Sequence, residues 1–135
     1  MQLVVLGLNH RSAAVEVRER FSFEKNEVES ALNRLYEYEK ISECVILSTC
    51  NRTEIYAVLE DVQSPKAYML DVLKHLKHAD TIDESAFFFY EEKVCIEHLF
   101  RVSASLDSLV LGEGQILSPV SYTHLRAHET VLDLV

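Results

Sequence analysis

The chain is short of cysteine, with three in 135 residues, and short of basic charge, with 13 Lys and Arg against 22 Asp and Glu. Cys44, Cys50 and Cys95 are odd in number and form no CxxC pair. Neither a disulfide framework nor a zinc site is indicated, and a reducing cytosol suits them. A formal net charge of −9 opposes nonspecific binding to a polyphosphate, so any nucleic-acid contact must be local and basic. No apolar run is long enough to span a membrane. The N-terminal QLVVLGL lacks a basic n-region and a cleavage pattern, and Asn-His-Arg follows it at once, so it reads as a strand. With 48% hydrophobic residues, what is present suffices for one ordinary core and hence one globular domain.

The order of elements follows from periodicity. Leu3 to Leu8 is continuously apolar, as a central strand covered on both faces would be, and Gly7 with Asn9-His10 turns the chain. Val15 to Arg20 reads as a short helical turn. Ser22 stands as a cap for a longer helix with Val28, Ala31, Leu32 and Leu35 on one face. Cys44 to Ser48 and Thr53 to Leu59 are β-rich runs, most simply an antiparallel pair. Ser64-Pro65 opens a helix striped by Met69, Val72, Leu73 and Leu76, with His75 and His78 toward solvent. Ala86 to Tyr90 is a short aromatic strand, and the helix after it repeats Cys95, Leu99, Val102 and Leu106, which makes Cys95 a core residue. Strand, helix, strand, strand, helix, strand, helix predicts an α+β sandwich: a small, mostly antiparallel sheet covered by helices, with ferredoxin-like topology as the closest simple match.

Between the paired runs lies the segment CVILSTCNRTEIYA, in which the strand pattern breaks at Cys50-Asn51-Arg52. A packing cysteine normally sits inside an apolar stripe, whereas Cys50 falls where polar Thr49, Asn51 and Arg52 interrupt it. One reading is a nucleophile whose thiolate attacks an activated carbonyl, with Arg52 stabilising negative charge. The other is a half-buried turn cysteine, and spacing alone leaves both open. His98 falls on the flank of the last helix, outside its apolar stripe. There it either faces a cleft, as a proton donor to a leaving oxygen or an orienter of the thiolate, or simply faces solvent. His10 and Arg11 carry the same two readings. LDSLVLGEGQ, from Leu106 to Gln115, places polar groups and two of the three glycines after that helix; GEG is not a dinucleotide fingerprint, and a helix cap followed by a turn accounts for it.

Taken in order and at their separations, GLNHRSAAVEVRERFSF, ILSTCNRTEIYAV and HLFRVSASLDSLVLGEGQIL resemble the N-terminal catalytic domain of glutamyl-tRNA reductase, over residues 3 to 117. The resemblance implies that Cys50 attacks the aminoacyl ester of glutamyl-tRNA, and that NADPH then reduces the resulting thioester to glutamate 1-semialdehyde for tetrapyrrole synthesis. A thioester accepts hydride more readily than an ester, and the covalent link holds the acyl group in place. By the same carry-over His98 matches a functionally important histidine, and Thr49, Asn51, Arg52, Ser108, Glu113, Gly114 and Gln115 match substrate-contact positions. A bidentate Arg52 would prefer a glutamate side chain to glutamine, whose neutral amide leaves the guanidinium unpaired. The full-length family is implied to be a cytoplasmic homodimer using NADPH.

After Leu117 the resemblance is expected to stop: SPVSYTHLRAHETVLDLV replaces the family's continuation, with Pro119 where a glutamine contact would stand. Residues 1–117 are therefore expected to form a C-terminally truncated catalytic domain and 118–135 a non-native tail. His124 and His128 are two ligands at most and do not make a metal site. No dinucleotide-binding βαβ unit fits in what remains. The chain by itself is thus expected to bind no cofactor, to stay monomeric and to stop at acylation of Cys50. A noncatalytic domain that binds tRNA or a regulatory partner is the rival reading, and a thiol redox switch a third.

Overall fold

The structure, a computed structural model, describes residues 1–104. Four strands, β1 (Gln2–Asn9), β2 (Ile41–Ser48), β3 (Arg52–Leu59) and β4 (Phe88–Glu91), form one sheet in the order β2-β3-β1-β4. Every neighbouring pair is antiparallel. Helices α1 (Val15–Phe21) and α2 (Lys25–Leu35) carry the chain from β1 to β2, α3 (Pro65–Leu76) carries it from β3 to β4, and α4 (Glu92–Ser103) follows β4. Each crossover thus spans one intervening strand, which is the twice-split βαβ of the ferredoxin-like sandwich expected from element order.

The strand period of two sorts residues onto the faces. Val4, Leu6 and Leu8 of β1, Cys44 and Ile46 of β2, and Ile55, Ala57 and Leu59 of β3 pack with Phe21, Leu32, Leu35, Met69 and Leu73 in the main core. Burying each Val, Leu, Ile, Phe or Met side chain of this set contributes on the order of 1.5–3 kcal/mol before chain entropy is counted. Val5 and Tyr56 point the other way and pack with Cys95 of α4 in a smaller cluster. Because β1 is central and covered on both faces, its sequence is apolar without alternation.

Gly7, read as part of the turn, and Arg52, read as part of the break, both lie within paired strands, and three further boundaries differ from the sequence reading. β2 begins at Ile41, three residues before Cys44, since a register shift between Ile41 and Glu43 leaves Ser42 to donate its hydroxyl to the Val58 carbonyl at 3.2 Å. The polar Ser42-Glu43 pair hid this end of the strand. Ser22 closes α1 rather than opening α2, its hydroxyl donating to the Glu19 carbonyl at 3.1 Å. At the start of α2 the Glu27 carboxylate instead accepts from the Glu24 backbone N–H at 2.9 Å, half of a capping box. β4 begins at Phe88 rather than Ala86, because Glu84–Ala86 is a 3-10 turn capped by the Asp83 carboxylate, which accepts from the Ser85 N–H at 3.0 Å. Ser64 and Pro65 stand at the cap and first turn of α3 as read, and His75 and His78 are exposed.

Candidate active site

β2 and β3 are joined by Thr49, Cys50 and Asn51 alone. The Thr49 N–H donates to the Arg52 carbonyl at 2.8 Å and the Asn51 N–H to Thr49 Oγ1 at 3.2 Å, which closes the corner and leaves Cys50 exposed at its tip. The base of the corner is anchored too, for Ser48 Oγ accepts the Phe23 N–H at 2.9 Å. The other two thiols are a contrast. Burial pushes Cys44 up to about 11, and burial together with the negative charges of Glu54 and Glu92 pushes Cys95 up to about 12. Both stay protonated and unreactive near neutrality.

On β3, Arg52, Glu54 and Tyr56 share the face toward α4. All three are buried, Glu54 completely at 0% exposure. Glu54 Oε2 accepts from Arg52 Nη1 at 2.8 Å and lies 3.0 Å from His98 Nε2, while Oε1 accepts from the Tyr56 hydroxyl at 2.5 Å. Burial opposes ionisation of this carboxyl, but the hydrogen bond and charge of His98, the Tyr56 hydroxyl and the Arg52 charge outweigh it and hold Glu54 below the usual carboxylate range. An ionised carboxylate can only accept, so His98 Nε2 is the donor. Burial and the adjacent Glu54 charge raise Tyr56, keeping its hydroxyl a donor.

Gly7 sits opposite Glu54 on β1. A Cβ there would come within 2.8 Å of Phe88 Cζ, 2.8 Å of the Thr53 carbonyl and 2.9 Å of Glu54 Cγ. The missing side chain lets Phe88 and Glu54 close over the strand.

His98 is not on the flank of the last helix. It is 2% exposed and shares the buried face of α4 with Cys95 and Val102, whereas Leu99 is half-buried and Phe100 exposed. The reason is electrostatic. Glu54 supplies a charged partner in the interior, and Phe88 and Tyr90 flank the imidazole with ring centroids at 4.9 and 5.1 Å, so a polar ring is accommodated where periodicity placed only apolar side chains. Glu54 itself was missed by the sequence reading. Its signal was present: a carboxylate two places after Arg52 within a strand shares its face, and such a charge is rarely buried unless paired.

Beside this cluster an open cleft of about 300 Å³ is lined by Asn9 at the end of β1, Arg11 and Ser12 of the turn after it, Phe88 and Tyr90 of β4, and His98 and Arg101 of α4. Asn9 Oδ1 accepts from the Arg11 and Ser12 N–H groups at 2.9 and 3.1 Å, which fixes the turn. Asn9 pairs with Arg52 in the sheet, so the cleft lies at the same end of the sheet as the Cys50 corner. Of the residues singled out from sequence, Thr49, Cys50, Asn51 and Arg52 form the corner, and Glu54 ties Arg52 to His98 across 44 positions of sequence. Ser108, Glu113, Gly114 and Gln115, and the boundary placed at Leu117, lie outside the described residues. Among the described residues, no helix is long and apolar enough to cross a membrane.

Fold and corner together define the class: a split-βαβ α+β domain that presents a thiol at its β2–β3 hairpin, next to a buried Arg-Glu-His cluster. The chain belongs to the family described as glutamyl-tRNAGlu reductase, N-terminal domain, whose family model matches residues 6–132. It is similar to glutamyl-tRNA reductase of Bacillus pumilus, with 42% identity over 130 residues, covering 96% of this chain and 29% of the relative. The Synechococcus glutamyl-tRNA reductase is 48% identical over 121 residues, covering 89% of this chain and 27% of the relative. Among solved structures, glutamyl-tRNA reductase from Methanopyrus kandleri superposes with a TM-score of 0.68 at 31% identity, covering 98% of this chain and 29% of that one. The chain thus spans under a third of the length of these relatives.

Proposed function

We propose that Cys50 is the acyl acceptor of a glutamyl-tRNA reductase. Its Sγ attacks the carbonyl carbon of the ester in glutamyl-tRNA, the C–S bond forms, the C–O bond to the terminal ribose breaks, and the thiol proton passes to the ribose oxygen. The products are a Cys50 thioester and free tRNA. The observation that carries this reading is the exposed thiol at a hydrogen-bonded corner, two residues before a buried Arg52–Glu54 pair that also holds His98. Glu54 fixes the orientation of the imidazole, the part a carboxylate plays toward a histidine acting in proton transfer. His98 lines the cleft at this end of the sheet and is the residue we assign to the leaving oxygen.

Arg52 is assigned to the side-chain carboxylate of the glutamate. A guanidinium carries five N–H donors in a rigid fork, and the Nη1 bond to Glu54 anchors that fork. Thr49 and Asn51 hold the corner and, with Ser108, Glu113, Gly114 and Gln115, are assigned to substrate contact.

Reduction of the thioester needs a hydride from NADPH. The described residues do not fit a dinucleotide: the sheet is antiparallel throughout, and the connections entering α1 and α3, NHRSAA and EDVQS, contain no glycine for a phosphate-binding turn. The chemistry argued from this chain's own residues is acylation.

Intact mass after incubation with glutamyl-tRNA tests the reading. A glutamyl adduct that maps to Cys50 and disappears in Cys50→Ser supports it. Absence of any adduct, or its survival in Cys50→Ser, overturns it in favour of a noncatalytic binding domain. Arg52→Lys should narrow the preference for glutamyl-tRNA over glutaminyl-tRNA.

A further inference from the structure

The cleft beside His98 differs in charge from the other grooves. Among the described residues its lining contains two arginines and no carboxylate, in a chain with nine net negative charges. A groove between α3 and β4 sets Lys66 and Lys74 among Asp71, Glu84 and Glu91, and a groove on α2 sets Arg34 beside Glu29 and Glu37, so carboxylates outnumber cations in both. A local positive site on an acidic protein favours an anion while the remaining surface repels one. Arg11 comes from the turn fixed by Asn9, and Arg101 from the last turn of α4, so two separate elements place guanidinium groups around one space.

The remaining walls supply a different chemistry. Phe88 and Tyr90 stack on each other with centroids 5.2 Å apart, and both rings are half-buried, so each keeps surface toward the cleft. Arginines beside aromatic rings suit a ligand with both a phosphate and a planar base, since the cations take the phosphate and the rings the π face. A volume of about 300 Å³ is enough for one nucleotide and too small for a folded stem.

Geometry ties this space to the thiol. In glutamyl-tRNA the ester joins the amino acid to the ribose of the last nucleotide, so a carbonyl held at Cys50 brings that nucleotide with it. Asn9, on the cleft wall, is the sheet partner of Arg52. Cys50 is two residues further along, at most about 7 Å of extended chain.

We infer that the cleft takes the terminal nucleotide of the tRNA 3′ end, with its phosphate on Arg11 and Arg101 and its base against Phe88 and Tyr90. The inference rests on glutamyl-tRNA as the substrate. It adds that affinity for charged tRNA is concentrated at this end of the acceptor and needs no broad basic surface.

The probe is the 5′-phosphorylated trinucleotide CCA, titrated into the intact chain by calorimetry and used as a competitor in the Cys50 acylation assay, with free glutamate as control. The trinucleotide should bind and compete. Arg11→Ala and Arg101→Ala should each weaken its binding about tenfold and raise the KM for charged tRNA by a larger factor than they lower the rate of acylation at saturation. Arg101→Lys, which keeps the charge, should recover most of the loss, and matching melting curves would exclude misfolding. If Cys50 is acylated but the trinucleotide neither binds nor competes, or if both alanine variants keep the wild-type KM, the cleft assignment is overturned while the role of Cys50 stands. If Cys50 is never acylated, the role of Cys50 fails. Trinucleotide binding that is lost in Arg101→Ala would then still support the cleft assignment, and absence of binding would overturn it as well.

Discussion

Glu54 and His98 are 44 residues apart in sequence, yet Glu54 Oε2 lies 3.0 Å from His98 Nε2, with Glu54 fully buried and His98 2% exposed at the cleft wall. The same oxygen accepts from Arg52, so one carboxylate orients both residues assigned to the substrate. Glu54→Gln removes the buried carboxylate that Arg52 and His98 share. It should lower folding stability by about 3–5 kcal/mol, the usual cost of breaking a buried pair. Urea denaturation of the two proteins measures this, and a loss below 1 kcal/mol would contradict it.

Acid should act through the same carboxylate. Its folded-state pKa is held below the ordinary value of 4.5. Its contribution is therefore fully present above 4.5 and is lost as pH falls from there through the lowered folded value. Asp83 is also lowered, by bonds from the Ser85 hydroxyl and N–H, but it is exposed. The difference between wild type and Glu54→Gln isolates the buried group. Stability of wild type should drop more steeply below pH 4.5 than that of Glu54→Gln, as denaturation midpoints from pH 7 to 3 would show.

Thiol accessibility gives a direct check on the corner. Iodoacetamide at pH 8 should add one carbamidomethyl group to the native chain, at Cys50, because Cys44 and Cys95 are buried and pushed up to about 11 and about 12. All three should react in urea. Peptide mapping distinguishes the sites, and native labelling of Cys44 or Cys95 at a rate like that of Cys50 would refute the arrangement.

Gly7→Ala should destabilise by about 1–3 kcal/mol, since the new methyl meets a backbone carbonyl as well as two side chains. Because one of those side chains is Glu54, the variant should also slow acylation of Cys50. Thermal melting and the mass assay report the two effects separately.

Much of the scaffold was legible before the structure. The continuous apolar run Leu3 to Leu8, the Ser64-Pro65 helix start and the break at Cys50 are local signals, each set by the period or stereochemistry of a few residues. Ser42-Glu43 concealed the first residues of β2, because a bulge suspends the alternation on which a strand reading depends. His98 was read only as lying outside the apolar stripe, facing a cleft or solvent, and its burial on the stripe's side was hidden for a related reason. Periodicity ranks side chains by polarity, and a histidine goes inside only when a distant residue supplies its counter-charge. That residue was Glu54, and no local pattern links the two positions.

The alternation of β3 gives that strand two independent tasks. Thr53, Ile55, Ala57 and Leu59 form one row and Arg52, Glu54 and Tyr56 the other. Inserting or deleting one residue within the Cys50 corner would exchange the rows, driving a guanidinium and a carboxylate into the aliphatic layer and turning isoleucine toward His98. Substitutions along β3 can therefore alter stability or chemistry separately. A change in the corner's length is constrained by both at once, so such variants should be absent from any library selected for function.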